Sequence, residues 1–150
     1  MTSGQISGVL NINKPAGLTS HDVVARVRKL SRQRKVGHTG TLDPMATGVL
    51  LVCLGQATRL IEFMMPGRKQ YRAEITFGVS TDTLDADGQV VARQDASGLT
   101  AGQIQAVLPV FRGEIEQYPP LFSAIKKDGQ PLYKRARAGQ TVEVSPRRVT

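Results

Sequence analysis

Residues 37–54 read GHTGTLDPMATGVLLVCL, a polar loop punctuated by glycines and followed by a continuous apolar run. Pro44 disfavours helical backbone at the residue before it, so Asp43 is expected in an extended or turn conformation. The glycines allow sharp turns and close approach of a ligand to the main chain. An Asp-Pro pair in such a segment is typical of an Asx turn between two elements, and it also suits a loop that presents a carboxylate for catalysis.

Apolar spacing upstream and immediately downstream of this loop indicates an α+β chain. Val9, Leu10 and Ile12 predict a short strand, which a Lys-Pro turn ends. Thr19 or Ser20 can cap a helix whose buried side carries four residues at helical spacing: Val23, Val24, Val27 and Leu30. The apolar run at 49–54 fits either a buried strand or the start of a buried helix, and its pattern alone does not separate the two.

The later part of the chain continues the same pattern. Residues 71–79 alternate with period two, which predicts a half-buried strand, and Asp87-Gly88 turns the chain into a second strand at 89–92. Thr100 can cap a helix that Pro109 kinks or shortens and Gly113 ends. A short helix at 131–138 and a strand at 142–144 are expected beyond it. No repeat, linker or low-complexity segment argues for a second domain within the 150 residues.

Composition limits the possible settings and partners. Twenty Lys and Arg against twelve Asp and Glu give a net charge of +8, which favours a polyanionic partner such as nucleic acid. One cysteine, Cys53, lies among apolar residues and predicts a buried thiol in a reduced, cytoplasmic setting. No apolar run approaches the roughly 20 residues that span a membrane, so we expect a soluble protein with no membrane partner.

Basic side chains form two groups on either side of the loop. The first group contains no acidic residue, and each member could contact a phosphate or lie on a solvated helix face. It consists of Arg26, Arg28, Lys29, Arg32, Arg34 and Lys35. The second group consists of Lys126, Lys127, Lys134, Arg135 and Arg137. Two basic groups around a candidate catalytic loop favour RNA as the partner.

Several motif-like strings fail on physical grounds. Ser20-His21-Asp22 spells a catalytic triad, but consecutive helix residues point in different directions, so a helix cap is the better interpretation. A calcium loop aligned on Gly88 would need ligands at Thr83 and Gln94, which do not fit. The glycine loop lacks the Gly-Lys-Ser/Thr ending of a nucleotide site. Two histidines and one cysteine at distant positions do not build a zinc site, so neither a metal nor another cofactor is expected.

Four ordered blocks resemble the TruB family of RNA pseudouridine synthases. They are residues 8–20 (GVLNINKPAGLTS), the loop at 37–50, residues 71–88 with Tyr71-Arg72-Ala73 and Thr81-Asp82-Thr83-Leu84-Asp85, and residues 117–137, which begin QYPPLFSAIK. The resemblance implies a pseudouridine synthase fold, with a mixed, largely antiparallel sheet and flanking helices. It favours a helix over a strand at 49–54.

The resemblance also implies roles for four residues, and Lys14 is a fifth candidate because of its place in the Lys-Pro turn. Asp43 matches the family's catalytic aspartate and is expected to attack the nucleoside. Tyr71 matches a pocket tyrosine that stacks on the target base and could move the C5 proton, and His38 would contact RNA and support base flipping. Lys14 could face a phosphate or stabilise the entry turn. Asp85 matches an acidic position of the family's hairpin loop, although capping of a turn explains it as well.

The family pattern continues beyond the end of this sequence, into a C-S-x-G-T-Y-I-R-like strand and a PUA-type RNA-binding domain. We therefore expect residues 1–150 to be the N-terminal portion of a catalytic domain. The implied reaction converts a uridine of tRNA, uridine 55 of the T loop, to pseudouridine, without an obligatory protein partner. The alternative is a catalytically incomplete RNA-binding or tRNA-chaperone fragment. The guide-RNA-dependent branch is disfavoured because no extension for partner proteins is visible.

Overall fold

The computed structural model describes residues 6–120, 126–127, 129–132, 135, 138 and 144–149. Its elements fall into two compact units, Met1–Arg72 and Ala73–Thr150, each of which is considered by itself. Helices are combined with strands, and every strand pair among the described residues is antiparallel. The predicted α+β class with a largely antiparallel sheet is therefore confirmed at this level.

A three-stranded sheet organises the first unit. β1 (Gly8–Lys14) and β2 (Val36–His38) both pair antiparallel with the central strand β3 (Gly48–Leu54), so β1 and β2 run parallel to each other. The register joins Lys14 to Gly48 at one end of β1 and Gly8 to Leu54 at the other. The predicted strand at residues 9–12 is confirmed within β1.

Residues 49–54 form a strand, so the helix favoured by the family resemblance is wrong. Both edges of β3 have partners, β1 on one side and β2 on the other, which satisfies its backbone polar groups in the protein interior. Leu50, Val52 and Leu54 alternate along β3 and point into the core, and Cys53 on the opposite face is also buried, as predicted. On that opposite face Leu51 is half-buried and Val49 is 66 % exposed, so apolar residues occupy both faces of β3 and its run shows no alternation that would identify a strand.

Helix α1 (Ser20–Ser31) packs on this sheet. Thr19 caps it and forms a reciprocal capping box with Asp22. Val23, Val24 and Val27 are buried against β2 and β3, as their spacing predicts. Leu30 is 84 % exposed, so its predicted place in the core is wrong. Helical periodicity indicates the side on which a residue lies but not how far along the helix the covering sheet extends.

After β3 the first unit continues through a 3-10 helix (Gly55–Leu60) and helix α2 (Ile61–Met64). The predicted strand at 71–79 is largely absent, because residues 68–76 have no regular structure and pairing begins at Val79. The side chains of Tyr71 and Ile75 are 69 % and 71 % exposed. Alternation shows which side of a strand would be buried, but no described strand pairs with these residues.

The second unit contains short elements. β4 (Val79–Thr81) and β5 (Val90–Arg93) form the predicted hairpin around Asp87-Gly88. Helix α3 (Ala101–Val107), capped by Thr100, passes at Pro109 into a 3-10 helix (Leu108–Phe111), as the proline predicts. β6 (Ile115–Gln117) pairs with β9 (Arg147–Val149), and β7 (Lys126–Lys127) pairs with β8 (Gln130–Pro131).

Two predictions for this unit lie largely outside the described residues. They are the strand at 142–144 and half of the short helix at 131–138, within which the described residues Leu132 and Arg135 are helical. Pro131 itself belongs to β8 rather than to a helix. Across the ranges that the structure describes, no helix is both long and apolar enough to cross a membrane.

Candidate functional site

The loop between β2 and β3, residues 39–47 and hereafter the Asp43 loop, lies at one end of the sheet. There β1 ends at Lys14, β2 ends at His38 and β3 begins at Gly48. The chain leaves β1 through a short turn and enters α1 at Ser20. The ends of three strands and the first turn of a helix therefore surround this loop.

Two donors anchor the loop on the C-terminal side of Asp43, through the carbonyl of Pro44. The amide of Gly17 donates to this oxygen at 2.8 Å, and Nζ of Lys14 donates to it at 3.2 Å. Gly17 has φ +81°, a left-handed conformation that glycine adopts without a steric penalty. The turn after β1 is thus joined to the Asp43 loop through one shared acceptor, the Pro44 carbonyl.

Lys14 is fully buried, with 0 % of its surface exposed. Its ammonium group donates to the carbonyls of Pro15 at 3.0 Å, Leu18 at 2.6 Å and Pro44 at 3.2 Å, which uses all three of its donors. Of the two roles that the sequence left open, the geometry supports stabilisation of the turn. The phosphate contact of Lys14 stays a prediction, and in this geometry all three donors of the buried ammonium are already used by carbonyls.

Ser20 anchors the loop on the N-terminal side of Asp43. Its Oγ accepts a hydrogen bond from the amide of Leu42 at 2.9 Å and donates to the Leu42 carbonyl at 3.3 Å. The Ser20 side chain is 2 % exposed, and Leu42 packs against the core. Sequence reasoning missed this contact and treated Ser20 as a possible cap, because its partner is 22 residues away.

Asp43 lies exposed between these two anchors. Its carbonyl accepts from the amide of Ala46 at 3.0 Å, which closes the turn predicted from the Asp-Pro pair. No described residue makes a hydrogen bond or ion pair to its carboxylate. Such a carboxylate, held by its backbone and open to solvent, is available as a nucleophile or as a stabiliser of positive charge.

His38 precedes the loop at the end of β2, where it pairs with Val52. Its ring is half-buried, and Nδ1 is shielded from solvent without a hydrogen-bond partner among the described residues. The neighbouring Gly37 packs closely, since a Cβ there would lie 2.8 Å from Cδ1 of Ile61. His38 is therefore held by the sheet, close in sequence to Asp43.

Neither Tyr71 nor Asp85 takes part in the contacts described above. Tyr71 belongs to the irregular segment of the first unit, and no hydrogen bond among the described residues joins it to the Asp43 loop. Asp85 lies in the β4–β5 hairpin of the second unit. Its Oδ1 accepts from Oγ1 of Thr83 at 2.6 Å and from the amide of Asp87 at 3.0 Å, which supports the turn-capping role that the sequence allowed.

The first basic group lies on the exposed side of α1 and on the turn into β2. Arg28 differs from the others because its Nη2 donates to the Val36 carbonyl at 2.8 Å, so it joins the helix to the sheet. Five members are exposed: Arg26, Lys29, Arg32, Arg34 and Lys35. They form a positive surface that leads along the chain to His38 and the Asp43 loop. In the second group, the side chains other than Arg135 lie outside the described residues.

Other features of the described residues offer no competing site. An open depression of about 330 Å³ lies in the second unit near Phe77, Asp95 and Gln103, and no predicted site residue lines it. Burial raises the pKa of the Cys53 thiol, which keeps it protonated and unreactive. No group of three or more His, Cys, Asp or Glu residues that could hold a metal was found in the described ranges.

Comparison of this chain with known proteins shows which family it matches. The family model described as TruB family pseudouridylate synthase (N terminal domain) matches residues 28–150. The tRNA pseudouridine synthase B of Symbiobacterium thermophilum is 56 % identical over 147 residues, which are 98 % of this chain and 49 % of that protein. The protein of the same name from Carboxydothermus hydrogenoformans is 55 % identical over 96 % of this chain and 50 % of its own length.

A solved structure extends the comparison to the fold. A chain in the crystal structure of a Cbf5-Nop10-Gar1 complex aligns with a TM-score of 0.53 at 33 % sequence identity. The alignment covers 81 % of this chain and 31 % of that one. The chain spans about half the length of the curated relatives that it matches.

Proposed function

Because the chain belongs to the TruB family of pseudouridylate synthases, we propose that it forms part of an enzyme that isomerises uridine to pseudouridine in tRNA. The observation that carries this proposal is the exposed Asp43 carboxylate, which lies between two backbone anchors in a loop at the end of the sheet. As a finer proposal, the target is uridine 55 of the T loop, and the chain is the N-terminal portion of the catalytic domain.

The reaction breaks the bond between C1′ of the ribose and N1 of uracil and forms a bond between C1′ and C5. The C5 proton is lost and N1 gains a proton, so the overall change is an isomerisation that needs no oxidant and no cofactor. A nucleophile or charge stabiliser is required while the base is detached, and the site must hold the base as it turns. We assign the first role to Asp43, which attacks either the base or the sugar.

Two other residues complete the proposed chemistry. The exposed ring of Tyr71 is available to stack on the target base, and its phenol could accept or pass the C5 proton. His38 would contact the RNA where the target base leaves the stack, a step that costs a few kcal/mol.

Asp85 is also proposed as an RNA contact, although its carboxylate already caps a turn.

The positive surface of α1 supports RNA as the substrate. Its exposed guanidinium and ammonium groups lie in the same unit as Asp43 and could each neutralise a phosphate. Binding through them would weaken as salt rises. We propose the T stem-loop as the partner and the cytoplasm as the setting. That no further protein is needed stays a prediction, and the Cbf5 chain was crystallised with Nop10 and Gar1.

Release of tritium from tRNA that carries C5-tritiated uridine tests this function, because isomerisation must expel the label. We expect release by the chain itself, or by a chimera in which the remainder of the Symbiobacterium relative follows Thr150. Asp43→Asn should abolish release while leaving tRNA binding intact. Asp95→Asn, which changes a carboxylate of the second unit, serves as the matched control and should retain activity.

Each result separates the synthase from the alternative. Release that disappears in Asp43→Asn and persists in Asp95→Asn supports an aspartate-dependent synthase. tRNA binding without release, by both the chain and the chimera, would favour the RNA-binding or chaperone fragment. Release that survives in Asp43→Asn would contradict the assignment of Asp43 but not the reaction.

A further inference from the structure

We propose that Ser20 is a positioning residue for Asp43, acting through the backbone of Leu42; this proposal rests on the proposed function. Asp43 makes no described side-chain contact, so its location depends on the main chain on either side. Ser20 Oγ contacts both polar groups of Leu42, at 2.9 Å to the amide and 3.3 Å to the carbonyl. The neighbouring residue Leu42 is thereby fixed at both its donor and its acceptor.

Peptide geometry passes this restraint to Asp43. The Leu42 carbonyl belongs to the planar peptide group that contains the nitrogen of Asp43. On the other side, the ring of Pro44 fixes its own φ, and the Pro44 carbonyl is anchored by Gly17 at 2.8 Å. Between these anchors the chain has few free torsions, and those of Asp43 are further restrained by the bond from the Ala46 amide. The side chain of Asp43 is therefore exposed to solvent, while its backbone is restrained on both sides.

Ser20 itself is held independently of the loop. It is the first residue of α1, where the capping box of Thr19 and Asp22 fixes the helix start, and it is 2 % exposed. The helix is in turn buried against the sheet through Val23 and Val24. The packed core thus sets the position of the Ser20 hydroxyl, and the hydroxyl sets the position of the loop. A displacement of about 1 Å in a reacting group can lower a rate about a hundredfold.

The test compares Ser20→Ala with Ser20→Thr, which keeps a hydroxyl, and with Ser31→Ala. Ser31 lies at the other end of α1, and its Oγ donates at 2.7 Å to the Val27 carbonyl within the same helix. Loss of that hydroxyl removes a similar hydrogen bond without touching the Asp43 loop. Ser31→Ala is therefore the matched control for a general effect of helix stability.

The first measurement needs no activity. Amide hydrogen exchange followed by NMR should show about tenfold faster exchange at Leu42 in Ser20→Ala, since its acceptor is lost. Leu42 exchange should be unchanged in Ser31→Ala and close to normal in Ser20→Thr. Equal protection of Leu42 in all variants would overturn the proposal, whatever the enzyme does.

The second measurement is tritium release by whichever form, chain or chimera, is active. Ser20→Ala should lower kcat by on the order of tenfold to a hundredfold at unchanged KM, with rescue by Ser20→Thr. A change in KM alone, or an equal loss in Ser31→Ala, would overturn a positioning role. If no form releases tritium, the proposed function fails, and the exchange measurement still decides whether Ser20 fixes the loop.

Discussion

The first unit buries seven aliphatic side chains between one helix and one sheet, whereas the described residues of the second unit leave most of their large apolar side chains exposed. Leu132 and Pro119 are the apolar residues buried there within the described ranges. Val91 in β5 is 64 % exposed, while Val52 in β3 is fully buried. Both strands have β-branched residues and a hairpin or sheet partner. The difference illustrates that apolar residues of a strand become buried, and so can stabilise the fold, only where another layer of structure covers them.

The largest expected effect comes from removing core volume in the first unit. Leu50→Ala should lower the free energy of unfolding by about 2–5 kcal/mol, because it leaves a cavity next to α1. Leu108→Ala, at a residue of the second unit that is 42 % exposed, should cost below about 1 kcal/mol. Urea unfolding followed by circular dichroism measures both. Equal losses would contradict the contrast between the units.

A polar change inside the first unit should rank next. Lys14→Met leaves the carbonyls of Pro15 and Leu18 without the donor that they have now, and we expect a loss of about 1–3 kcal/mol. Lys29→Met, on the exposed side of α1, is the control and should change stability by less than about 0.5 kcal/mol. An unchanged unfolding midpoint in Lys14→Met would show that the buried ammonium is not needed for the turn.

Relief of backbone strain should raise the free energy of unfolding, whereas the two preceding changes should lower it. Leu84 in the second unit has φ +62° and Arg32 at the end of α1 has φ +53°, both in the left-handed region that costs a non-glycine residue about 1–2 kcal/mol. Leu84→Gly and Arg32→Gly should each stabilise the protein by up to about 1 kcal/mol. Thermal unfolding measures the gain. Destabilisation by Leu84→Gly would mean that its side chain makes a contact that outweighs the strain.

The smallest expected effect concerns one carboxylate in each unit. Hydrogen bonds from the side chain and the backbone of Thr19 lower the pKa of Asp22, and those from the backbone and side chain of Ser97 lower the pKa of Asp95. Because the folded-state pKa values are lowered, these contributions are complete above about pH 5 and are lost as pH falls through the unfolded and then the lowered folded pKa values.

Asp22→Ala and Asp95→Ala should therefore each be slightly less stable than the parent chain at pH 7. The deficit should shrink as the pH is lowered from 7 to about 2, because the unfolded carboxyls are protonated first and the folded ones follow. Urea unfolding at the two pH values measures the differences. A deficit in Asp22→Ala that is the same at both pH values would indicate a loss of packing rather than of the charged capping interaction.

Sequence patterns predicted local features well where the cause was itself local. The cap at Thr19, the effect of Pro109 on the helix and the Asp87-Gly88 turn all depend on residues within a few positions of one another, and all were confirmed. Predictions that required a partner elsewhere in the chain were less successful. Leu30 lies beyond the cover of the sheet, and residues 68–76 have no strand beside them within the described chain.

The candidate site divides in the same way. The Asp-Pro pair predicted the turn at Asp43, and motif resemblance indicated the family that the comparisons then showed. Neither revealed that Lys14 is buried or that Ser20 holds Leu42. Hydrogen bonds between residues separated by 22 and 30 positions leave no periodic signal in a single sequence.

By itself, the sequence determined the basic charge, the α+β class, the helix caps and turns, and the loop that presents Asp43. These follow from side-chain chemistry and from restraints that glycine and proline place on their neighbours. The tertiary structure alone decided that residues 49–54 are the central strand, that the Lys14 ammonium donates to three backbone carbonyls and that Ser20 hydrogen bonds to Leu42 in the Asp43 loop. The physical reason is that burial and hydrogen-bond partners depend on which segments the fold brings together.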